Sequence, residues 1–259
     1  VIHGRTTDSL VSGLLTFSLS LCGISPKTIG VGCQFGNLAL KLIEQDGFDS
    51  ESQRFAYINF ISHWQLPLRE SLPPLRRNLL DNEHNEFRES AANVAGSLSH
   101  RHYLTGTNLT TIAEVTENHF ALVKRLNQQP AIRRLGVVAQ AVNNLQGKTL
   151  DPITLDGPYY DEQKNRPLCL EVGDYTSHVL AQTFKLIHAV LFGDYQQAIR
   201  YADEAEPYLP SLAASPYIPI FYGYSSLARL ANYQHMGKTE KLRTRIKVNR
   251  QQGLLKQWA

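Results

Sequence analysis

The sequence predicts an all-α protein in which helical hairpins stack one on the next, and three observations carry that expectation. Apolar residues recur at helical spacing along nearly the whole chain, and strand signals are weak: the only β-branched cluster, around Val137 and Val138, lies inside a helical pattern. Gly, Pro and Asn breaks punctuate these runs, so that hairpins start near residues 8, 51, 84, 130, 173 and 216. The intervals, roughly 33 to 46 residues, are those of helical solenoids, whose two-helix units bury a continuous core only by stacking. Residues 179–210, finally, read as one complete unit.

That unit contains the run TFKLIHAVLFGDYQQAIRYADEAEPYLP. Gly193 and Asp194 break its first helix, and Tyr195 opens the second. Ala198, Ala202 and Ala205 recur at spacings of four and three, so they share a face on which two helices approach closely. Tyr195 fills the notch where a neighbouring hairpin stacks, and Pro210 closes the unit. Together these seven positions form the signature of a tetratricopeptide-type (TPR) repeat. The expected fold is a TPR-like α-solenoid of about six irregular hairpins, one continuous domain over residues 1–259.

In chain order, Asp8 to Cys22 forms an apolar helix broken by Gly23 and Pro26, and a second helix ends near Gln45. Gly47 and Asp49 turn the chain. Residues 51–66 place Phe55, Ile58, Ile61 and Trp64 at helical spacing, and Pro67 limits that helix. A short helix follows Pro73 and Pro74, and a longer one runs from about His84 to Leu104, with Gly106 and Asn108 as its break. From Thr111 onward, Ile112, Val115, His119, Leu122, Val123 and Leu126 trace an amphipathic stripe, and Thr111 with Glu114 makes a capping box.

Pro130 suits the first turn of a helix reaching Gln146. Residues 147–158 are irregular and residues 159–164 form a short helix, so the 147–165 stretch is the expected place for a kink or a proteolytic nick. After the unit at 179–210, a last pair of helices covers residues 216–236 and 238–257.

Composition narrows the function. Apolar residues make up 42% and charged residues 19%, the balance of a globular domain. Without a run of about 18 apolar residues, no membrane insertion is expected. The opening VIHGRTTDSL has no secretory pattern, so the expected location is cytoplasmic, and the missing initiator Met predicts a fragment of a longer chain. Cys22, Cys33 and Cys169 are too scattered for a disulfide framework or a zinc site, and read as buried free thiols. Net charge is +3, but residues 237–259 alone carry +6, leaving −3 on the rest. Without interleaved aromatics or a broader basic surface, that tail reads as a solvated helix face or a contact with a following segment, and argues against a nucleic-acid partner.

The catalytic inventory is empty, and no cofactor or metal is expected. Gly147-Lys148-Thr149 and Gly237-Lys238-Thr239 echo a phosphate loop, but Val142 and Asn232 stand where its first glycine must be. His100 and His102 lie two residues apart on a helix and point in divergent directions, so they cannot share an ion. His119 sits on an apolar stripe as a core or boundary residue. No Gly-x-Ser-x-Gly elbow occurs, and Cys22 and Cys33 fall in apolar surroundings where a thiol stays protonated. Aromatics such as Trp64, Tyr103, Tyr195 and Tyr222 fill seams between units, while a minority line a groove for a partner.

Five phrases in order carry a family resemblance: LALKLIEQ (38–45), INFISHWQLPLRESLPPL (58–75), HAVLFGDYQQAIRYADEAEPYL (188–209), IFYGYSSLARLA (220–231) and VNRQQGLLKQWA (248–259). Together they resemble the helical-repeat region of large bacterial hybrid signalling kinases. In that family a serine/threonine kinase domain, a STAND/AAA-type ATPase, the repeats, a GAF domain and a histidine kinase follow one another. The resemblance implies a non-catalytic scaffold or sensor module that contacts a protein partner or neighbouring domains of the same chain. It implies no catalytic residue here, because the kinase and ATPase motifs of the family lie outside this region. Two other classes stay open: a ligand-sensing repeat regulator of a STAND-type transcription activator, and an enzyme with a novel all-α site.

Overall fold

Asn108, Asp161, Asp174 and Asp194 each cap the helix that follows, accepting with a side-chain oxygen from a backbone N–H of its first turn. The computed structural model describes residues 8–46, 51–83 and 88–258. Among the described residues there are twelve α-helices and no strand, the only β-type pairing being an isolated bridge between Asp156 and Asp161. The chain divides into two compact units, Val1–Thr105 with Ala213–Pro216, and Gly106–Leu212 with Tyr217–Ala259. No helix among the described residues is long and apolar enough to cross a membrane.

The first unit opens on a hairpin of α1 (Asp8–Ile24) and α2 (Ile29–Asp46). Gly23 does not break α1 as expected. It lies in the last turn, where a Cβ would come within 3.0 Å of Ala213 Cβ. The break is at Ser25, whose hydroxyl caps a 3-10 turn over Pro26–Thr28. Glycine is required further on, since a Cβ at Gly32 would meet Cys22 Sγ at 2.7 Å. The two arms are pinned by Ser18 Oγ donating to Gly32 O at 2.6 Å, around a core of Val11, Leu15, Cys33, Ala39 and Ile43.

Cys22 and Cys33 meet across this hairpin, which the sequence reading of separate inert thiols misses. The neighbouring Cys22 thiol holds that of Cys33 below its ordinary pKa, at about 7, while Cys33 and burial push that of Cys22 up. The partners stand on opposite arms, so only closure of the hairpin brings them together.

Three further helices complete the unit: α3 (Glu51–Phe60), α4 (Leu72–Glu83) and α5 (Arg88–Leu104). α3 stops earlier than expected and gives way to a 3-10 turn over Ser62–Trp64, where Ser62 Oγ donates to Ile58 O at 2.8 Å and the Trp64 indole to Phe60 O at 3.1 Å. Pro73 and Pro74 lie inside the first turn of α4, where no N–H is needed, instead of preceding the helix. The expected turn at Gly47 and Asp49 and the start of the long helix at His84 lie outside the described residues. On α5, His100, Arg101 and His102 are all buried, with Arg101 Nη2 donating to Asn59 O at 2.6 Å.

In the second unit α6 (Leu109–Leu126) and α7 (Gln129–Leu145) form a hairpin. The cap of α6 is Asn108, whose carboxamide oxygen accepts from Thr111 N at 2.9 Å. The expected capping box on Thr111 and Glu114 therefore sits one turn too late. The buried stripe is also rotated: Thr116 and Phe120 face inward, while Val115 and His119 are half-buried. Thr116 tolerates this because its hydroxyl donates to Ile112 O at 2.8 Å.

The irregular stretch after α7 is held from within. Asn144 Nδ2 donates to Thr154 O at 2.8 Å and Tyr159 N to Gln140 Oε1 at 3.2 Å, while Leu155 and Tyr160 are buried. Tyr159 O approaches α7 so closely that a Cβ at Gly136 would lie 2.5 Å from it. The short helix expected over 159–164 is instead α8 (Glu162–Glu171), capped by Asp161 and carrying Pro167 inside. α9 (Tyr175–Leu191), α10 (Tyr195–Ala205), α11 (Tyr217–Ala231) and α12 (Lys238–Trp258) follow, with contacts from α9 to α10, α10 to α11 and α11 to α12. α11 is shorter than expected, ending before a 3-10 turn at Tyr233–His235.

Candidate functional site

The seven signature positions fall at and beyond the junction of α9 and α10. Gly193 takes the left-handed φ of 80° that ends α9, a conformation favoured by a residue without Cβ. Asp194 N-caps α10 and Tyr195, half-buried, is its first residue. Ala198, Ala202 and Ala205 are exposed by 0, 1 and 0%, all on the buried face of the helix that packs on both α9 and α11. Pro210 is exposed within a 3-10 stretch that continues to Leu212, and the buried anchors there are Leu209 and Leu212.

One residue does two jobs at this junction. The Asp194 N–H donates to Ala189 O at 2.8 Å, closing the last turn of α9, and its carboxylate accepts from Gln197 N at 3.0 Å. The junction of α8 and α9 repeats the device at Gly173-Asp174-Tyr175, with Gly173 at φ 73°. There the Asp174 N–H donates to Cys169 O at 2.8 Å and its carboxylate accepts from Ser177 N at 3.2 Å. Both Gly-Asp-Tyr triplets are visible in the sequence, and the duplication is the signal that reading one unit alone passes over.

α9 is buried without interruption from Ser177 to Ala189, although its sequence includes His178, Gln182, Lys185 and His188. A helix buried all round is normally apolar all round, so each of these groups has to be accommodated. Lys185 donates to the Glu162 carboxylate of α8 and lies 4.1 Å from the centre of the Tyr201 ring of α10. Glu204 of α10 accepts from Gln182 Nε2 at 3.1 Å and pairs with Arg166 of α8 at 2.7 Å. His178 Nε2 stands 3.9 Å from the same carboxylate, and its edge meets the Tyr208 ring. His188 Nδ1 is 2.8 Å from Pro152 O, so this nitrogen carries the proton and ties the irregular stretch to α9.

Electrostatically the cluster is a staple. Burial depresses the pKa of His178 and of His188, so both rings are neutral at pH 7. Lys185 and Arg166 each meet a carboxylate, and the pairs join α8, α9 and α10 across their seams. Among the described residues no three or more His, Cys, Asp or Glu side chains are gathered to hold a metal ion.

A second ionic set links α10, α11 and α12. Asp203 accepts from Arg229 at 2.5 Å and from Lys247 at 2.8 Å, and Lys247 also pairs with Glu206 at 2.5 Å. Burial alone would raise the Asp203 pKa, but the Lys247 and Arg229 cations outweigh it and hold the carboxyl below its usual range. α12 attaches to α11 through Gln251, which donates to Ser225 Oγ at 3.2 Å and accepts from Ser226 Oγ at 2.9 Å. The basic tail is thus one helix of the unit, with Thr244, Val248 and Gln251 buried and the arginines beside them exposed. Compared with known proteins, the sequence matches no family model and no curated protein.

Proposed function

We propose that the chain is a non-catalytic, TPR-like helical-repeat scaffold, a cytoplasmic module of a multidomain signalling kinase that contacts protein partners or neighbouring domains. The observation that carries this reading is the run from α9 to α12. Each helix packs on its predecessor, α9 and α10 meet along an alanine seam, and duplicated Gly-Asp-Tyr junctions set the turns. Stacked hairpins of this kind present long surfaces to partners and pass small relative rotations along the array. The buried charges of α9 support the same reading, since they pair across helix seams.

The test is phosphoryl transfer in material captured from source cells by an antibody against this segment. Incubation with labelled ATP is expected to put acid-labile phosphate on a chain that carries the segment. Captured protein that takes up no phosphate would overturn the kinase assignment.

A further inference from the structure

We propose that the exposed groove along α12 receives an acidic amphipathic helix of a protein partner, one with two carboxylates spaced two turns apart and aliphatic residues between them. This rests on the scaffold reading and specifies the partner chemistry of that surface.

The groove has a volume of about 290 Å³ beside α12, α11 and the 3-10 stretch that follows α10. Its volume suits a few side chains of a peptide rather than a whole cofactor. Arg243, Lys247 and Arg250 follow one another at helical spacing along its wall. The central cation, Lys247, is already neutralised by Asp203 and Glu206. Arg243 and Arg250, one turn to either side, are exposed, and among the described residues neither has a carboxylate within 4.0 Å. Seven residues apart on a helix, they stand about 10 Å apart along its axis.

Beside these cations and Gln251, part of the lining is apolar: Ile246 is 64% exposed, and Leu254 and Tyr222 are half-buried. Counting Arg229 and Asp203 beneath it, the site carries four cations against two carboxylates, a surplus that the outer arginines supply. An acidic helix answers each element: its carboxylates meet the two forks bidentately and its aliphatic side chains cover Ile246 and Leu254. Nucleic acid fits worse, because the apolar side chains of Ile246 and Leu254 beside the arginines offer a charged backbone nothing.

The test uses the whole chain and a fluorescent helical peptide of about 14 residues with two Glu seven positions apart and Leu between them. Anisotropy is expected to show saturable binding that weakens with salt and drops at least about tenfold in Arg243→Glu/Arg250→Glu. The control Arg245→Glu/Lys256→Glu makes the same charge change at other exposed positions and is expected to leave binding in place. Equal loss in both double variants, or binding undiminished when the peptide Glu residues are replaced by Gln, would overturn the proposal. So would tighter binding of a duplex oligonucleotide or of vesicles containing anionic lipid. Failure here leaves the phosphoryl-transfer result untouched, and peptide binding with no such transfer would keep the groove while removing the kinase.

Discussion

Asp174 and Asp194 hold the same station at two successive helix junctions, each closing the helix before it through its N–H and capping the helix after it through its carboxylate. Only Asp174 has a third role. Its Oδ2 accepts from Nε of Arg133 on α7 at 2.7 Å and lies 2.7 Å from Nη2 of the same guanidinium. The first helix of the unit at 179–210 is thereby tied back to the hairpin that precedes it.

That difference separates two otherwise identical substitutions. Asp194→Ala removes a cap and is expected to cost about 1 kcal/mol. Asp174→Ala also strands a guanidinium whose side chain is only 11% exposed, and is expected to cost about 3 kcal/mol. Urea unfolding of the two variants side by side gives the comparison, and equal losses would show that the Arg133 contact contributes nothing.

The alanine seam makes a steric prediction. Ala198 is fully buried, so Ala198→Trp has no room for an indole and is expected to destabilise the protein by about 3 kcal/mol. A melting temperature equal to that of the wild type would place Ala198 at the surface and refute the seam.

Gly136 tests whether the irregular stretch is held as described. A methyl there would lie 2.5 Å from Tyr159 O, a backbone atom that cannot swing aside. Gly136→Ala is therefore expected to release residues 151–160, seen as faster hydrogen exchange at Gly157, whose N–H donates to Tyr160 O at 2.9 Å in the wild type. Unchanged exchange would mean that the stretch does not depend on this approach.

Acid should weaken the fold through histidines whose ring nitrogens are shut from water. Burial first, and the Arg101 charge second, lower the His63 pKa from 6.5 to about 3, with both ring nitrogens shut from water and unpaired. The folded state favours the neutral ring, so this contribution is complete above pH 6.5 and is lost as pH falls from there towards 3. Burial moves His178 and His188 the same way. Denaturant midpoints are expected to fall across that window, less steeply in His63→Phe; parallel curves would remove His63 from the account.

Helix content was legible because apolar spacing and Gly-Pro breaks are local, and the Gly193-Asp194 junction is where the sequence puts it. Boundaries slipped where a side chain competed with the pattern. Asn108 caps α6 ahead of Thr111, and the indole of Trp64 turns the end of α3 back on itself. The buried charges of α9 were illegible for a different reason: Lys185 and His188 become tolerable only beside Glu162 and Pro152 O, which come from elsewhere in the fold. The charge of the basic tail is plain in the sequence, but the neutralisation of Lys247 within it depends on Asp203 and Glu206, which lie far from it in sequence.

The central claim, that this chain is one module of a large signalling kinase, is tested most directly by the mass of the native protein. An immunoblot of source cells with an antibody against this segment is expected to show a band many times heavier than 29.1 kDa. A band at 29.1 kDa would contradict the claim and leave a free-standing adaptor in its place.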